Sequence, residues 1–181
     1  MNSFRPDLFL PMGLGLGGSP ATASGAFFSF ELNQSVPLAT LDYGYEVAGY
    51  PFFRVDYVSG PVQIEVKYSE EVAGLSHDFS DGPFPFNVAL ANTYRVETFE
   101  ITEPGDISSF LLQGGQRWQS IRLITDGEIG FESAGFVPSV PVVDIDDLPG
   151  SFSCDDEDLN EIWKVCTICD GKSVGEGANR T

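Results

Sequence analysis

Residues 62–69 read Val-Gln-Ile-Glu-Val-Lys-Tyr-Ser, with apolar and polar side chains taking turns. Successive side chains of an extended chain point to opposite faces. Val62, Ile64, Val66 and Tyr68 therefore share one side, and Gln63, Glu65, Lys67 and Ser69 the other. A helix, with 3.6 residues per turn, would scatter that pattern around its circumference. A strand with one apolar face needs paired neighbours and a second layer to cover it. This short stretch commits the chain to a packed sheet.

The same signal recurs along the chain. "GAFFSFEL" (25–32) is a strand, and "TLDYGYEVAGYPFFRVDYV" (40–58) reads as two short strands broken at Gly49. "TYRVETFEI" (93–101) alternates, with Tyr94, Val96 and Thr98 on one side and Arg95, Glu97 and Phe99 on the other. "ISSFLLQ" (107–113) and "QRWQSIRLIT" (116–125) are strands on either side of Gly114-Gly115. Asp126-Gly127 reads as a two-residue hairpin turn into "EIGFESAGF" (128–136), because such turns need positive φ. The composition agrees: 15 Phe, 6 Tyr and 2 Trp favour strands, while 20 Gly and 12 Pro punctuate turns. The expected fold class is all-β, an antiparallel β-sandwich or jelly roll with one short C-terminal helix.

The expected domain plan has five parts. Residues 1–24 are a loop or poorly ordered arm, 25–141 the β-sandwich and 142–152 a linker. Residues 153–169 are a helix, and 170–181 a disordered tail. The 71–92 connection is long enough to be functional. Ser153 and Asp156 form an S-x-x-D capping pattern, and Asp155 to Asp158 crowd the first turn, where the helix dipole favours negative charge. Leu159, Ile162, Trp163 and Cys166 then follow at i, i+3, i+4 and i+7. That helix is too short to be stable alone in water, and its apolar face calls for a helical partner.

Charge narrows the function classes. With 27 acidic and 9 basic residues the formal net charge is −18. Nucleic acid and anionic membranes both demand clustered Lys and Arg, so neither is an expected partner. Neutral polar ligands, sugars above all, remain. No apolar run approaches membrane-spanning length. The stretch before Ala21-Thr22-Ala23 resembles a cleavable leader, but Pro6, Asp7 and Pro11 interrupt it. Asn33-Gln34-Ser35 is a glycosylation sequon, meaningful only in a secreted protein.

Most motifs have a plainer structural explanation. "GLGLGG" (13–18) matches a dinucleotide fingerprint in form, yet lacks the preceding strand and following helix that such a site needs. Cys166 and Cys169 have C-x-x-C spacing but fall on the apolar helix face, and Cys154 and His77 do not complete a zinc set. The acidic run 144–158 misses the glycine of a calcium loop. Glu70, Glu71, Asp78 and Asp81 border the long loop without a sign of burial, and His77 has no nucleophile motif around it. No cofactor and no metal are expected. Trp118 beside Arg117 offers an aromatic face and a planar polar group, the pair that holds a sugar. Tyr43 and Tyr50 are further stacking candidates, against the alternative that these aromatics simply fill the core.

Taken together, "LDYGYEVAGYPFFRV", "GPVQIEVKYSE", "NTYRVETFEIT", "QGGQRWQSIRLI" and "FSCDDEDLNEIWK" resemble, in order and spacing, a region of fungal α-L-rhamnosidase-like proteins of glycoside hydrolase family 78. That region lies just before the catalytic domain. The likeness covers about residues 36–165 and ends in F-x-C-D-x-x-x-L-N-x-I-W. It implies a β-sandwich packed against an (α/α)6 barrel whose first helix begins at Leu159–Trp163. It also implies an extracellular parent enzyme that hydrolyses terminal α-L-rhamnosides with inversion. The two catalytic carboxylates would lie in later barrel helices beyond Thr181, and from about Val165 the tail departs from the family pattern. The expected role is a truncated accessory fragment, silent alone, whose partner is the missing helical domain. The alternatives are a stand-alone carbohydrate-binding module or an unrelated secreted interaction domain.

Overall fold

The computed structural model describes residues 8–23, 29–78, 80, 95–139 and 150–169. Among these residues, nine antiparallel strands and one α-helix carry the fold. In chain order these are β1 (Gly13–Leu16), β2 (Thr22–Ala23), β3 (Phe30–Leu32), β4 (Leu38–Val58), β5 (Val62–Ser69), β6 (Val96–Ile101), β7 (Gly105–Ser108), β8 (Gln113–Leu123), β9 (Ile129–Pro138) and α1 (Glu157–Cys169). The fold is all-β with one short helix, as the alternation requires.

The organising element is β4, 21 residues long. Its first half pairs with β1 and β8, in the ladder order β2-β1-β4-β8-β5-β6. Its second half pairs with β9 and β7, and β9 carries β3. The exchange falls at Gly49, which is opposite Gln113 of β8 and also Pro138 of β9. Register shifts between Asp42 and Gly49 bend the strand there, and Gly44 sits at φ 78° with its N–H donating to the Asp42 carboxylate. A strand that changes sheets at a bulge is one way to turn a corner of a sandwich. The break expected at Gly49 is thus a change of partners within one continuous strand.

Packing across the two halves confirms the layers. Phe136 of β9 meets Tyr43 of β4 at 5.0 Å and Tyr68 of β5 at 5.8 Å, edge to face. Phe53 meets Phe99 of β6 at 5.2 Å. Leu32, Leu41, Ile64, Val66, Ile121, Ile129 and Phe131 complete this core, fully or nearly fully enclosed. The β5 alternation holds: Val62, Ile64, Val66 and Tyr68 all point inward. Lys67 and Ser69, on the other face, are buried as well, because a 3-10 turn at Val72–Ser76 lies over them and Lys67 Nζ donates to His77 O.

Several expectations give way. Residues 13–16 and 22–23, expected as loop, are strands: β1 pairs with β2 and β4, and Phe9 bridges to Phe136. Gly17 and Gly18, both at positive φ, turn β1 towards β2, so "GLGLGG" is a strand and its turn. Gly114-Gly115 does not separate two strands. It lies inside β8, with Gly115 at φ 55°, and the true break is at 109–112. Asp126-Gly127 does not close a hairpin ladder either. Gly127 has the positive φ expected, 119°, but β8 pairs with β4 and β5 whereas β9 pairs with β3 and β4. The turn carries the chain from one layer to the other.

Candidate functional site

The inward side of β6 bears Glu97, Phe99 and Ile101, with Arg95 just before the strand in the same alternation, so a segment that closes the apolar core at one end brings charge into it at the other. Arg95 is only 5% exposed. Its guanidinium donates to Gln116 Oε1 at 3.1 Å and to Gly115 O at 3.0 Å, and lies 3.8 Å from Glu70 at the rim. Glu97 accepts from Ser109 Oγ at 2.6 Å and from Gln113 Nε2 at 3.3 Å. Deeper in, the Tyr43 hydroxyl donates to Gln119 Oε1 at 2.8 Å. Burial pushes the Tyr68 hydroxyl well above its ordinary pKa, and the neighbouring Glu97 charge adds to this. Burial does the same to Tyr43. Both phenols hold their protons throughout the physiological range. Gln113, Gln116, Gln119, Ser109, Arg95, Glu97 and the two tyrosines thus form a continuous polar end to the core.

The expected sugar-contact residues are not brought to one place. Trp118 is opposite Asp42 in the β4–β8 ladder, and alternation puts it on the face away from Leu41 and Tyr43. It is half-buried, with the Arg117 guanidinium 5.2 Å from its ring centre. Arg117 also binds Asp42 through two parallel bonds of 2.8 and 3.0 Å. Burial raises the Asp42 pKa, but the bonds from Arg117 and the Gly44 amide outweigh it, leaving the carboxyl below its usual value. Tyr43 is fully enclosed and turns no face to solvent. Tyr50 is half-buried in the other half of β4, opposite Val137. Arg117 and Trp118 are therefore the pair that stays together.

The remaining candidates are dispersed. Glu70, Glu71, His77 and Asp78 are exposed around the 3-10 turn, and Asp81 lies outside the described residues. Among the described residues no group of His, Cys, Asp and Glu side chains is arranged to hold a metal ion. The Cys166 and Cys169 side chains and residues 140–149 and 170–181 also lie outside what is described.

The helix begins one turn later than the S-x-x-D pattern implies. Asp156 is the cap: its Oδ1 accepts from the Asp158 and Leu159 amides at 3.0 and 3.3 Å. Asn160 clasps the entering chain, donating to Cys154 O at 2.9 Å and accepting from Cys154 N at 3.0 Å. Phe152 rests on Trp163 at 6.1 Å. The apolar face beyond is open, with Leu159 47% and Ile162 57% exposed. No helix is long and apolar enough to cross a membrane among the described residues.

The glutamine row and the Arg95–Glu97 face escaped the sequence reading. Alternation named both faces of 93–101 without saying which is inside. Phe99 and Ile101 on the same side as Arg95 and Glu97 were the available signal.

These features define an antiparallel β-sandwich followed by an amphipathic helix. No protein-family model matches the chain, and no curated protein sequence does. Solved structures do. A rhamnosidase from Klebsiella oxytoca with rhamnose bound shares the fold at a TM-score of 0.63 and 14% identity, over 90% of this chain. The match occupies 34% of that protein, so the chain spans about a third of its length. A family 78 rhamnosidase of Bacillus sp. GL1 overlaps 78% of this chain and 14% of its own, at 18% identity and a TM-score of 0.48.

Proposed function

We propose that the chain is an accessory β-sandwich of an α-L-rhamnosidase-like glycoside hydrolase of family 78. It buttresses a helical catalytic domain and is silent alone. The observation that carries this reading is the fold shared with the Klebsiella rhamnosidase over 90% of this chain but 34% of that one. The open face of α1 supports it, since exposed Leu159 and Ile162 suit burial against further helices. Hydrolysis of rhamnosides belongs on this view to the parent enzyme, through carboxylates outside this chain. Within the sandwich, Glu97 is held by Ser109 and Gln113.

The test combines activity with the helix face. The isolated chain should release no nitrophenol from an aryl α-L-rhamnoside. Leu159→Glu/Ile162→Glu should leave its melting temperature unchanged while reducing its binding of a hydrophobic dye. Measurable turnover, or collapse of the sandwich in that double variant, would overturn the proposal.

A second reading, a carbohydrate-binding module, is favoured by one feature: the half-buried Trp118 with Arg117 over its ring. It expects calorimetric binding of rhamnose-containing oligosaccharides that disappears in Trp118→Ala.

A further inference from the structure

Asn33-Gln34-Ser35 occupies the turn between β3 and β4. Asn33 Oδ1 accepts from the Ser35 amide at 2.9 Å and from the Val36 amide at 3.0 Å. The side chain thus closes the turn, and main-chain bonds between Asn33 and Val36 brace it. Gln34 Nε2 donates to Thr125 O at 3.2 Å, tying the turn to the β8–β9 connection. With its oxygen engaged, Asn33 directs its amide nitrogen the other way, where it donates to the exposed Glu31 carboxylate at 3.3 Å. Gln34 and Ser35 are exposed.

The motif by its letters is not decisive, because Asn179-Arg180-Thr181 repeats it outside the described residues. What sets Asn33 apart is the fold around it. A glycan needs an asparagine nitrogen at the surface, a hydroxyl two residues on within reach of the transferring enzyme, and room beside both. A surface cleft lined by residues 33–36, Ser59, Gly127 and Glu128 opens next to the turn. The turn also lies far from where the chain leaves the sandwich. β9 starts at Ile129, directly after this cleft, and ends at Pro138, opposite Gly49. Its ten residues span about 30 Å. A glycan on Asn33 therefore stands at the end of the sandwich opposite the exit towards α1.

We propose that Asn33 is an N-glycan acceptor. The donor is an oligosaccharide linked to a lipid pyrophosphate. A bond forms between Asn33 Nδ2 and the anomeric carbon of the first sugar. The bond from that carbon to the pyrophosphate oxygen breaks, the lipid pyrophosphate leaves, and the amide gives up one proton. Such a glycan rests on the extracellular parent of the reading above and adds a covalent modification to it.

The test is to secrete the full chain from a eukaryotic host behind a cleavable leader and map its peptides by mass. Treatment with an amidase that releases N-glycans turns a glycan-bearing asparagine into aspartate. Asn33 should be modified in most of the secreted chain. In an Asn179→Gln background, Ser35→Ala should abolish the gel shift while keeping the amide that closes the turn, and Ser35→Thr should retain it. Unmodified Asn33 in the secreted wild-type chain, or a glycan on Asn33 that persists in Ser35→Ala, would overturn the proposal. The leader supplies the compartment, so either result counts against the site and leaves the hydrolase reading to its own assay. The wild-type peptide decides even if a variant is not secreted.

Discussion

Replacing Gly49 by alanine would set a Cβ hard against the carbonyl oxygen of Val137, 3.0 Å from its carbonyl carbon and 3.2 Å from Phe136 Cβ. The first two obstacles are main-chain atoms, which cannot rotate aside. The β4–β9 ladder must open at the point where β4 exchanges β8 for β9. Losing one or two ladder bonds costs about 1–2 kcal/mol. Forcing atoms into a packed site adds about 1–3 kcal/mol. Against this, alanine restricts the unfolded chain and returns about 0.4–1 kcal/mol. The net expectation is a loss of about 1–5 kcal/mol, centred at about 3 kcal/mol. With a urea slope of about 2 kcal/mol per molar, the unfolding midpoint falls by about 0.5–2.5 M. Gly114→Ala is the control, because a Cβ there meets nothing within 4 Å and the backbone is not in the left-handed region. A Gly49→Ala midpoint no lower than that of Gly114→Ala would refute the claim that the sheet exchange requires close backbone approach.

Phe136→Ala should cost about 3–5 kcal/mol in chemical denaturation, since it empties the contact joining Tyr43 and Tyr68 across the layers. A change below about 1 kcal/mol would mean that the layers are not held by this ring. The Asp42–Arg117 pair gives a pH dependence. The Asp42 carboxyl is depressed in the folded state, so its contribution is present above its unfolded pKa and lost as pH falls through the folded one. Asp42→Asn should cost about 1 kcal/mol at neutral pH and flatten the acid limb of the stability profile. An acid limb identical to wild type would contradict the pairing.

The strands with one-sided alternation were legible because their pattern is local. Val62 to Tyr68 need no knowledge of partners to be assigned a face. Where both sides are covered the signal fails. Lys67 and Ser69 occupy polar positions of an alternating strand, yet a 3-10 turn buries them. Asp126-Gly127 announced a turn correctly through its backbone chemistry, but turn chemistry says nothing about which strands then pair. Among the sugar candidates, Tyr43 and Tyr50 look alike in sequence. Which aromatic is sealed and which is half open depends on β9 arriving opposite the second half of β4.

The sequence by itself determined an all-β chain with a charge balance hostile to nucleic acid and an amphipathic helix after the strands. Each of these follows from side-chain period or composition, which act over a few residues. Tertiary structure alone decided that β4 serves two layers, that glutamines and an arginine close one end of the core, and that Leu159 and Ile162 remain uncovered. Those outcomes depend on contacts between segments far apart in the chain, and an energy shared by distant partners leaves no periodic trace in either one.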